Sequence, residues 1–194
     1  MKDSAVCRIE EMNISQWLYR EKVESTNDWM KINHEQLTVG CCLYAQTQTK
    51  GRGRGSNQWR SPTGGLYFSV LLSKGPKLPN TELLMSHFSY HAMDFLNKRY
   101  KLQIQFKAPN DLHVNGCKLM GVLIDNVFMG NCLSACILGV GLNVNDCVKT
   151  SVSWHDRPVA SLQGLLKEEF NLDKNQLMVE ILESYDSQDL ICKI

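Results

Sequence analysis

The sequence predicts an α+β domain built on a mixed, mainly antiparallel sheet flanked by helices. Three observations carry that prediction. Apolar runs of strand length recur at 37–45, 66–72 and 132–144. Asn115-Gly116 sits between two strand-like runs, the strongest short hairpin signal, because both central positions of a type I′ turn need positive φ. Helical patterns fall between and after these runs rather than alternating with every strand, which argues against a doubly wound parallel sheet.

The elements follow in order. Residues 14–23 are rich in strand formers, and Ser25-Thr-Asn27 then offers an N-cap for a short helix through Trp29, Met30 and Ile32. A strand is expected over 37–45, followed by a polar, glycine-rich stretch from 46 to 65 and a buried strand over 66–72. Pro79-Asn80-Thr81 opens an amphipathic helix whose apolar side carries Leu83, Leu84, Phe88, Ala92, Phe95 and Leu96. The hairpin pairs 111–114 with 117–124. A last strand is expected over 132–144, and two closing helices over 161–170 and 175–183. Alternation along 117–124 places Lys118 and Met120 on one face and Leu119 and Gly121 on the other.

The chain has 194 residues, a formal net charge of +1, 43% apolar and 21% charged residues. These values fit a single globular domain and exclude a disordered tail protein. The balanced charge argues against a dedicated nucleic-acid binder. No apolar run approaches the length of a membrane span, and the first residues lack the apolar core of a secretory signal. Eight cysteines at 7, 41, 42, 117, 132, 136, 147 and 192 form no Cys-x-x-Cys pair, so they are expected to be reduced thiols of a cytoplasmic protein.

Three segments could carry chemistry. Gly51-Arg-Gly-Arg-Gly55 combines backbone freedom with two forked cations suited to phosphate or carboxylate. It lacks the Gly-Lys-Ser/Thr of a nucleotide P-loop and the helix of a dinucleotide fingerprint. A flexible basic surface loop would have the same composition. Lys107-Ala-Pro-Asn-Asp111 places an amide and a carboxylate at the mouth of the hairpin, where they could orient Mg²⁺ or a nucleotide, although Pro-Asn-Asp is also ordinary turn chemistry. Lys118 stands in a strand of otherwise apolar character, either solvated or aimed at a phosphate. Gly121, Gly139 and Gly141 mark places where a ligand or backbone comes close. His87 and His91 share a helix face, but no third ligand points to zinc.

Taken together and in this order, the segments closely resemble the catalytic domain of biotin–protein ligases. The matching pieces are Glu24-Ser-Thr-Asn27, Gln48-Thr-Lys-Gly-Arg-Gly-Arg54 with Trp59 and Ser61-Pro62, and Gly64-Gly-Leu-Tyr-Phe-Ser69. They continue with Lys107-Ala-Pro-Asn-Asp-Leu112, Gly116-Cys-Lys-Leu-Met-Gly-Val-Leu-Ile124 and Gly139-Val-Gly-Leu-Asn-Val144. The resemblance covers roughly residues 14 to 185. It implies a ligase of the class II synthetase-like fold that joins biotin to ATP, giving biotinyl-5′-AMP and pyrophosphate. The biotinyl group then passes to a lysine of a biotin carboxyl carrier domain.

The resemblance also implies roles. Ser25, Thr26, Asn27 and Gln48 would hold the biotin head group. Gly51, Arg52, Gly53 and Arg54 would close over biotin and the adenylate. Tyr67, Gly121 and Gly139 would shape the tail channel. Lys118 would meet the carboxylate–phosphate junction, with Arg54 and Asp111 in the catalytic set. Trp59, Asn110, Asp111, Leu142 and Asn143 would face the nucleotide, with Mg²⁺ entering with ATP near Asp111.

Two departures from the family pattern stand out. Ala108 occupies a position where Trp is common, and Gly55-Ser56 carries Ser where Gly is usual. The resemblance further leads one to expect a single catalytic domain over 1–194, with neither an N-terminal helix-turn-helix nor the small C-terminal β-barrel. Specific DNA binding and membrane association are not expected, while a homodimer through an edge strand is compatible with the sequence. Two other functions stay open at this point: a module that binds biotin or its adenylate but transfers weakly, and a lipoate-type ligase of the same fold.

Overall fold

A computed structural model describes residues 13–75, 80–145, 158–167 and 171–185. The elements are β1 (Gln16–Val23), α1 (Thr26–Asn33), β2 (Cys41–Gln48), β3 (Leu66–Lys74), α2 (Thr81–Tyr100), β4 (Gln105–Lys107), β5 (Asp111–Val114), β6 (Cys117–Met129), β7 (Cys132–Leu142), α3 (Leu162–Leu166) and α4 (Lys174–Ser184). The seven strands form one sheet in the order β1-β2-β3-β7-β6-β5-β4. Only β1 and β2 run parallel; every other neighbouring pair is antiparallel. The mixed, mainly antiparallel α+β prediction therefore holds.

Local chemistry sets the helix starts. Ser25 caps α1 by accepting from the Asp28 N–H, Asn80 caps α2 through Leu83, and Asp173 caps α4 through Asn175 and Gln176. Asn115 and Gly116 adopt φ of 51° and 77°, as the hairpin turn requires.

Several boundaries differ from the sequence prediction for identifiable reasons. β2 starts at Cys41 rather than 37, because Gly40 turns the chain at φ +84°. A Cβ there would lie 2.1 Å from the Asn13 carbonyl oxygen. β2 also runs on to Gln48, into the segment expected to be loop, because the parallel partner β1 continues to pair with it. The three-residue strand β4 is too short and polar to show a period. α3 ends at Leu166, four residues before the expected end, because Lys167 turns left-handed and donates its N–H to the Gln163 carbonyl. Residues 168–170, Pro79, His155 and Cys7, Cys147 and Cys192 lie outside the described residues.

One face of the sheet carries the larger core. Phe68 and Val70 of β3, Val122 of β6, and Leu138 and Val140 of β7 pack against Phe88, Ala92 and Leu96 of α2 and Leu177, Met178 and Ile181 of α4. Each of these side chains except that of Ala92 contributes about 1.5–3 kcal/mol on leaving water. Tyr185, just past α4, wedges against α2 with its ring edge-on to His87 and His91 and its hydroxyl 3.1 Å from His87 Nδ1. The histidine pair is thus a packing feature.

The other face is covered only in part. Met30 of α1 sits on Leu43, Leu71, Ala135 and Ile137. α1 has eight residues and cannot cover the whole face. Its first turn lies over Ser69 and Gly139; Gly141 and Gly121 follow on the same face, and the sheet opens there into a cavity. None of the described helices is long and apolar enough to cross a membrane.

Candidate active site

The cavity has a volume of about 720 Å³, within the range of small-molecule sites. Its floor is glycine because larger residues would collide with the side chains that roof it. A Cβ on Gly139 would lie 2.0 Å from Asn27 Oδ1, and one on Gly141 would lie 2.4 Å from the Trp59 indole. A Cβ on Gly121 would lie 3.0 Å from the same indole and 3.4 Å from Lys118 Nζ.

Lys118 therefore shares a face with Gly121, against the alternation expected from sequence. The register between β5 and β6 slips between Leu112 and His113, so that Met120 pairs with Leu112 but Lys118 with His113. This bulge turns Lys118 to the cavity while Leu119 and Met120 are both fully buried in the core. Lys118 Nζ lies 2.7 Å from Asp111 Oδ1 and 5.2 Å from the centre of the Trp59 ring. His113 lies beyond Asp111; burial lowers its pKa below 6.5, against the opposing pull of the Gly116 carbonyl and Asp111.

A polar cluster forms the opposite wall. Gln48 Oε1 accepts from the Thr26 N–H at 2.8 Å and lies 3.1 Å from Thr26 Oγ1. Gln48 Nε2 donates to Ser61 Oγ at 2.8 Å. Ser69 Oγ contacts Thr26 Oγ1 at 2.8 Å and Asn27 Oδ1 at 2.5 Å. Ser25, Thr26 and Asn27 are almost wholly buried, yet all three line the cavity.

The arginine loop arches over this wall. Its hairpin-like closure comes from Gly53 N–H to the Asn57 carbonyl and Trp59 N–H to the Gly51 carbonyl. Arg52 does not present a free cation. Its guanidinium lies 3.0 Å from Asp28 Oδ2 and contacts Asp125 Oδ2. Arg54 stands exposed at the rim and makes no ion pair among the described residues.

Most of the residues singled out from sequence meet here. Ser25, Thr26, Asn27, Gln48, Arg52, Gly53, Arg54, Trp59, Asn110, Asp111, Lys118, Gly121, Gly139 and Asn143 all line the cavity. Three do not. Leu142 is fully buried in the opposite core, since it alternates with Gly141 along β7. Tyr67 is covered on the cavity side by the 61–65 segment, with its hydroxyl donating to the Pro62 carbonyl at 2.9 Å. Gly51 is buried behind Trp59. Asn110 and Asn143 also staple backbone: Asn110 Nδ2 donates to the Val122 carbonyl, and Asn143 Nδ2 to the Ala160 carbonyl. Asn143 Oδ1 is buried with no hydrogen-bond partner among the described residues. Gly141, marked in the sequence as a place of close approach, lines the cavity as well; Asp28 and Asp125 are added by the structure and had no local signal.

Known proteins resemble this chain in sequence and in fold. The profile of the Biotin/lipoate A/B protein ligase family matches residues 17–143. The chain is 31% identical over 176 residues to the chloroplastic biotin–protein ligase 1 of Arabidopsis thaliana, covering 87% of this chain and 44% of that protein. It is 30% identical over 133 residues to the bifunctional ligase/repressor BirA of Bacillus subtilis, covering 66% and 40%. The biotin protein ligase of Aquifex aeolicus, solved with biotin and ATP, superposes with a TM-score of 0.76 at 26% identity, covering 91% of this chain and 72% of that one. The chain spans less than half the length of these two curated relatives. With the family profile matched across β1 to β7, the chain belongs to the biotin/lipoate A/B protein ligase family.

Proposed function

We propose that this chain activates biotin with ATP and passes the biotinyl group to a lysine of a biotin carboxyl carrier domain. The observation that carries the proposal is the glycine floor of Gly121, Gly139 and Gly141, with a polar cluster at one end and Lys118 at the other. A urea offers one carbonyl acceptor and two N–H donors, and Thr26, Gln48 and Ser25 supply matching groups in a small buried space. The side-chain-free floor suits an alkyl chain, and Lys118 suits the carboxylate at its end. The ligands named for the Aquifex aeolicus structure, biotin and ATP, support the same reading.

The chemistry needs no protein nucleophile. A carboxylate oxygen of biotin attacks the α-phosphorus, the bond to the β-phosphate breaks, and pyrophosphate leaves. Two anions must approach for this. Lys118 and Arg54 supply positive charge where they meet, and a preorganised cation at developing charge typically contributes about 2.7–4 kcal/mol to the rate. An acceptor lysine amine then attacks the acyl carbon, AMP leaves, and one proton is lost from the nitrogen. Asp111, already paired with Lys118, is the carboxylate placed to steer that amine.

Among the described residues, Asp111 is also the single carboxylate lining the cavity. That suits a Mg²⁺ ion that arrives with ATP and is held mostly by phosphate oxygens and water. The ion would supply charge neutralisation on the triphosphate. The buried acceptor Asn143 Oδ1 lacks a partner among the described residues and fits a nucleotide N–H or hydroxyl.

The test has two parts: pyrophosphate release with biotin and ATP, then a mass gain of one biotinyl group on a carrier domain. Release without transfer would leave a module that makes or holds the adenylate. No release would refute the proposal.

A further inference from the structure

Asp125 occupies the middle of β6, between Ile124 and Asn126, with its side chain 18% exposed. Its Oδ2 accepts from Asn27 Nδ2 at 2.8 Å and from the Arg52 guanidinium. It thus joins the first turn of α1 to the arginine loop from beneath both.

A carboxylate only accepts hydrogen bonds, so Asp125 fixes the Asn27 amide with Nδ2 toward β6 and Oδ1 toward Ser69. Ser69 must then spend its single proton on Asn27 Oδ1, 2.5 Å away. The Thr26 hydroxyl then spends its proton within the cluster, on Gln48 Oε1 at 3.1 Å or on Ser69 Oγ at 2.8 Å. Donation therefore runs from Ser69 to Asn27 Oδ1 and from Asn27 Nδ2 to Asp125, with the Thr26 proton kept inside the cluster. It leaves the Thr26 hydroxyl oxygen as an acceptor toward the cavity, the polarity that a urea N–H requires.

Asp125 also holds Arg52, which it shares with Asp28. Arg52 lies between Gly51 and Gly53. Glycines on both sides leave the loop little backbone stiffness of its own, so side-chain tethers set its seat.

We propose that Asp125 is a positioning residue that sets the donor–acceptor polarity of the Thr26–Ser69–Asn27 cluster and seats the arginine loop over it. It thereby favours a ligand that donates urea-type N–H groups. The ligand half of this inference rests on the ligase reading; the loop half does not.

The experiment compares the wild type with Asp125→Ala, Asp125→Asn and Asp125→Glu. Calorimetry should show biotin binding weakened about 10–100-fold in Asp125→Ala, the equivalent of losing a charge-assisted hydrogen bond, while ATP binding stays within about threefold of wild type. Asp125→Asn keeps an acceptor of the same shape and should fall between, which covers the case in which the alanine variant does not fold. Asp125→Glu should bind better than the alanine variant. The double variant Asn27→Ala with Asp125→Ala should bind biotin no worse than Asn27→Ala alone, because the carboxylate acts through the amide.

Without ligand, trypsin should cut after Arg52 about tenfold faster in Asp125→Ala than in the wild type, and no faster in Lys118→Met. Biotin binding within about threefold of wild type in Asp125→Ala, or losses that multiply in the double variant, would overturn the polarity role. Unchanged cleavage would overturn the loop role. A wild type that binds no biotin would sink the ligase reading, and the ligand-free cleavage would still decide the loop.

Discussion

Gly139→Ala is a one-methyl change whose cost can be worked from the structure. The new Cβ would lie 2.0 Å from Asn27 Oδ1, 2.7 Å from its Cγ and 2.8 Å from its Nδ2. Ordinary contact needs more than 3.4 Å, so Asn27 must leave its place. It has little freedom to do so, being 4% exposed in the first turn of α1. Two hydrogen bonds are at stake, from Ser69 Oγ at 2.5 Å and to Asp125 at 2.8 Å. A neutral bond contributes about 0.5–1.5 kcal/mol and one to a charged group about 1.5–3. The expected loss is about 2–4 kcal/mol, or a fall in melting temperature of roughly 5–15 °C for a chain of this size. Biotin binding should fall with it, since Thr26 and Ser69 lose their ordered partner. Differential scanning calorimetry and biotin titration measure the two effects. The cause is isolated by placing Gly139→Ala in an Asn27→Gly background, where it should cost less than about 0.5 kcal/mol. A Gly139→Ala protein that melts within about 1 °C of wild type, or an equal cost in both backgrounds, would refute the reasoning.

Three further outcomes are expected. Lys118→Met should keep its fold but slow single-turnover pyrophosphate release by about a hundred- to thousandfold, with Lys118→Arg recovering only part, because a planar fork does not sit where an ammonium did; near-normal release would remove Lys118 from the site. His113 has its pKa lowered by burial in the folded state, so protons favour the unfolded chain; its share of stability should be complete above pH 6.5 and decline as pH falls below it, and His113→Gln should flatten that decline in melting temperature. Among the described cysteines, native thiol titration should label Cys132 first and Cys117 more slowly, while the buried Cys41, Cys42 and Cys136 react only after denaturation. Burial raises the Cys41 and Cys42 thiols, which holds them as the unreactive thiol form.

The parts of the fold that were legible in the sequence are those with local causes. Ser25 as a cap, the Asn115-Gly116 turn and the apolar runs of β3 and β7 each depend on residues within a turn or a strand of one another. What escaped depends on partners far away. Asp125 reads, with Asn126, as a polar break in an otherwise apolar run, because its partners Asn27 and Arg52 lie 98 and 73 residues off. Arg52 was legible as a cation but not as one already neutralised, since neither carboxylate stands near it in sequence. Lys118 was found for its residue type and put on the wrong face, because strict alternation does not anticipate a bulge after a tight hairpin. Leu142 carries the same lesson reversed: it sits between Gly141 and Asn143, both cavity-lining, and the strand's pleat turns it into the core.

The placement of the site follows from where packing stops. On the α1 face, β7 reads Ala135, Ile137, Gly139, Gly141 at successive same-face positions. The first two fill the space under Met30, and the last two carry no side chain. β3 repeats the change, with Leu71 under Met30 and the small polar Ser69 under the first turn of α1. Extending the apolar pattern by one residue per strand would gain about 1.5–3 kcal/mol for each side chain buried. It would also push Asn27 and Trp59 out of their seats. Stability is forgone in this stretch of sheet, and the space so kept is lined by groups that must each be held by another: Asn27 by Ser69 and Asp125, Arg52 by Asp28 and Asp125, Lys118 by Asp111. Natural proteins commonly accept a local stability cost at a functional site. Here the large core beneath α2 and α4 lies on the far side of the same strands and is unaffected by it. The sheet can therefore stay rigid while one half of one face remains open to a ligand.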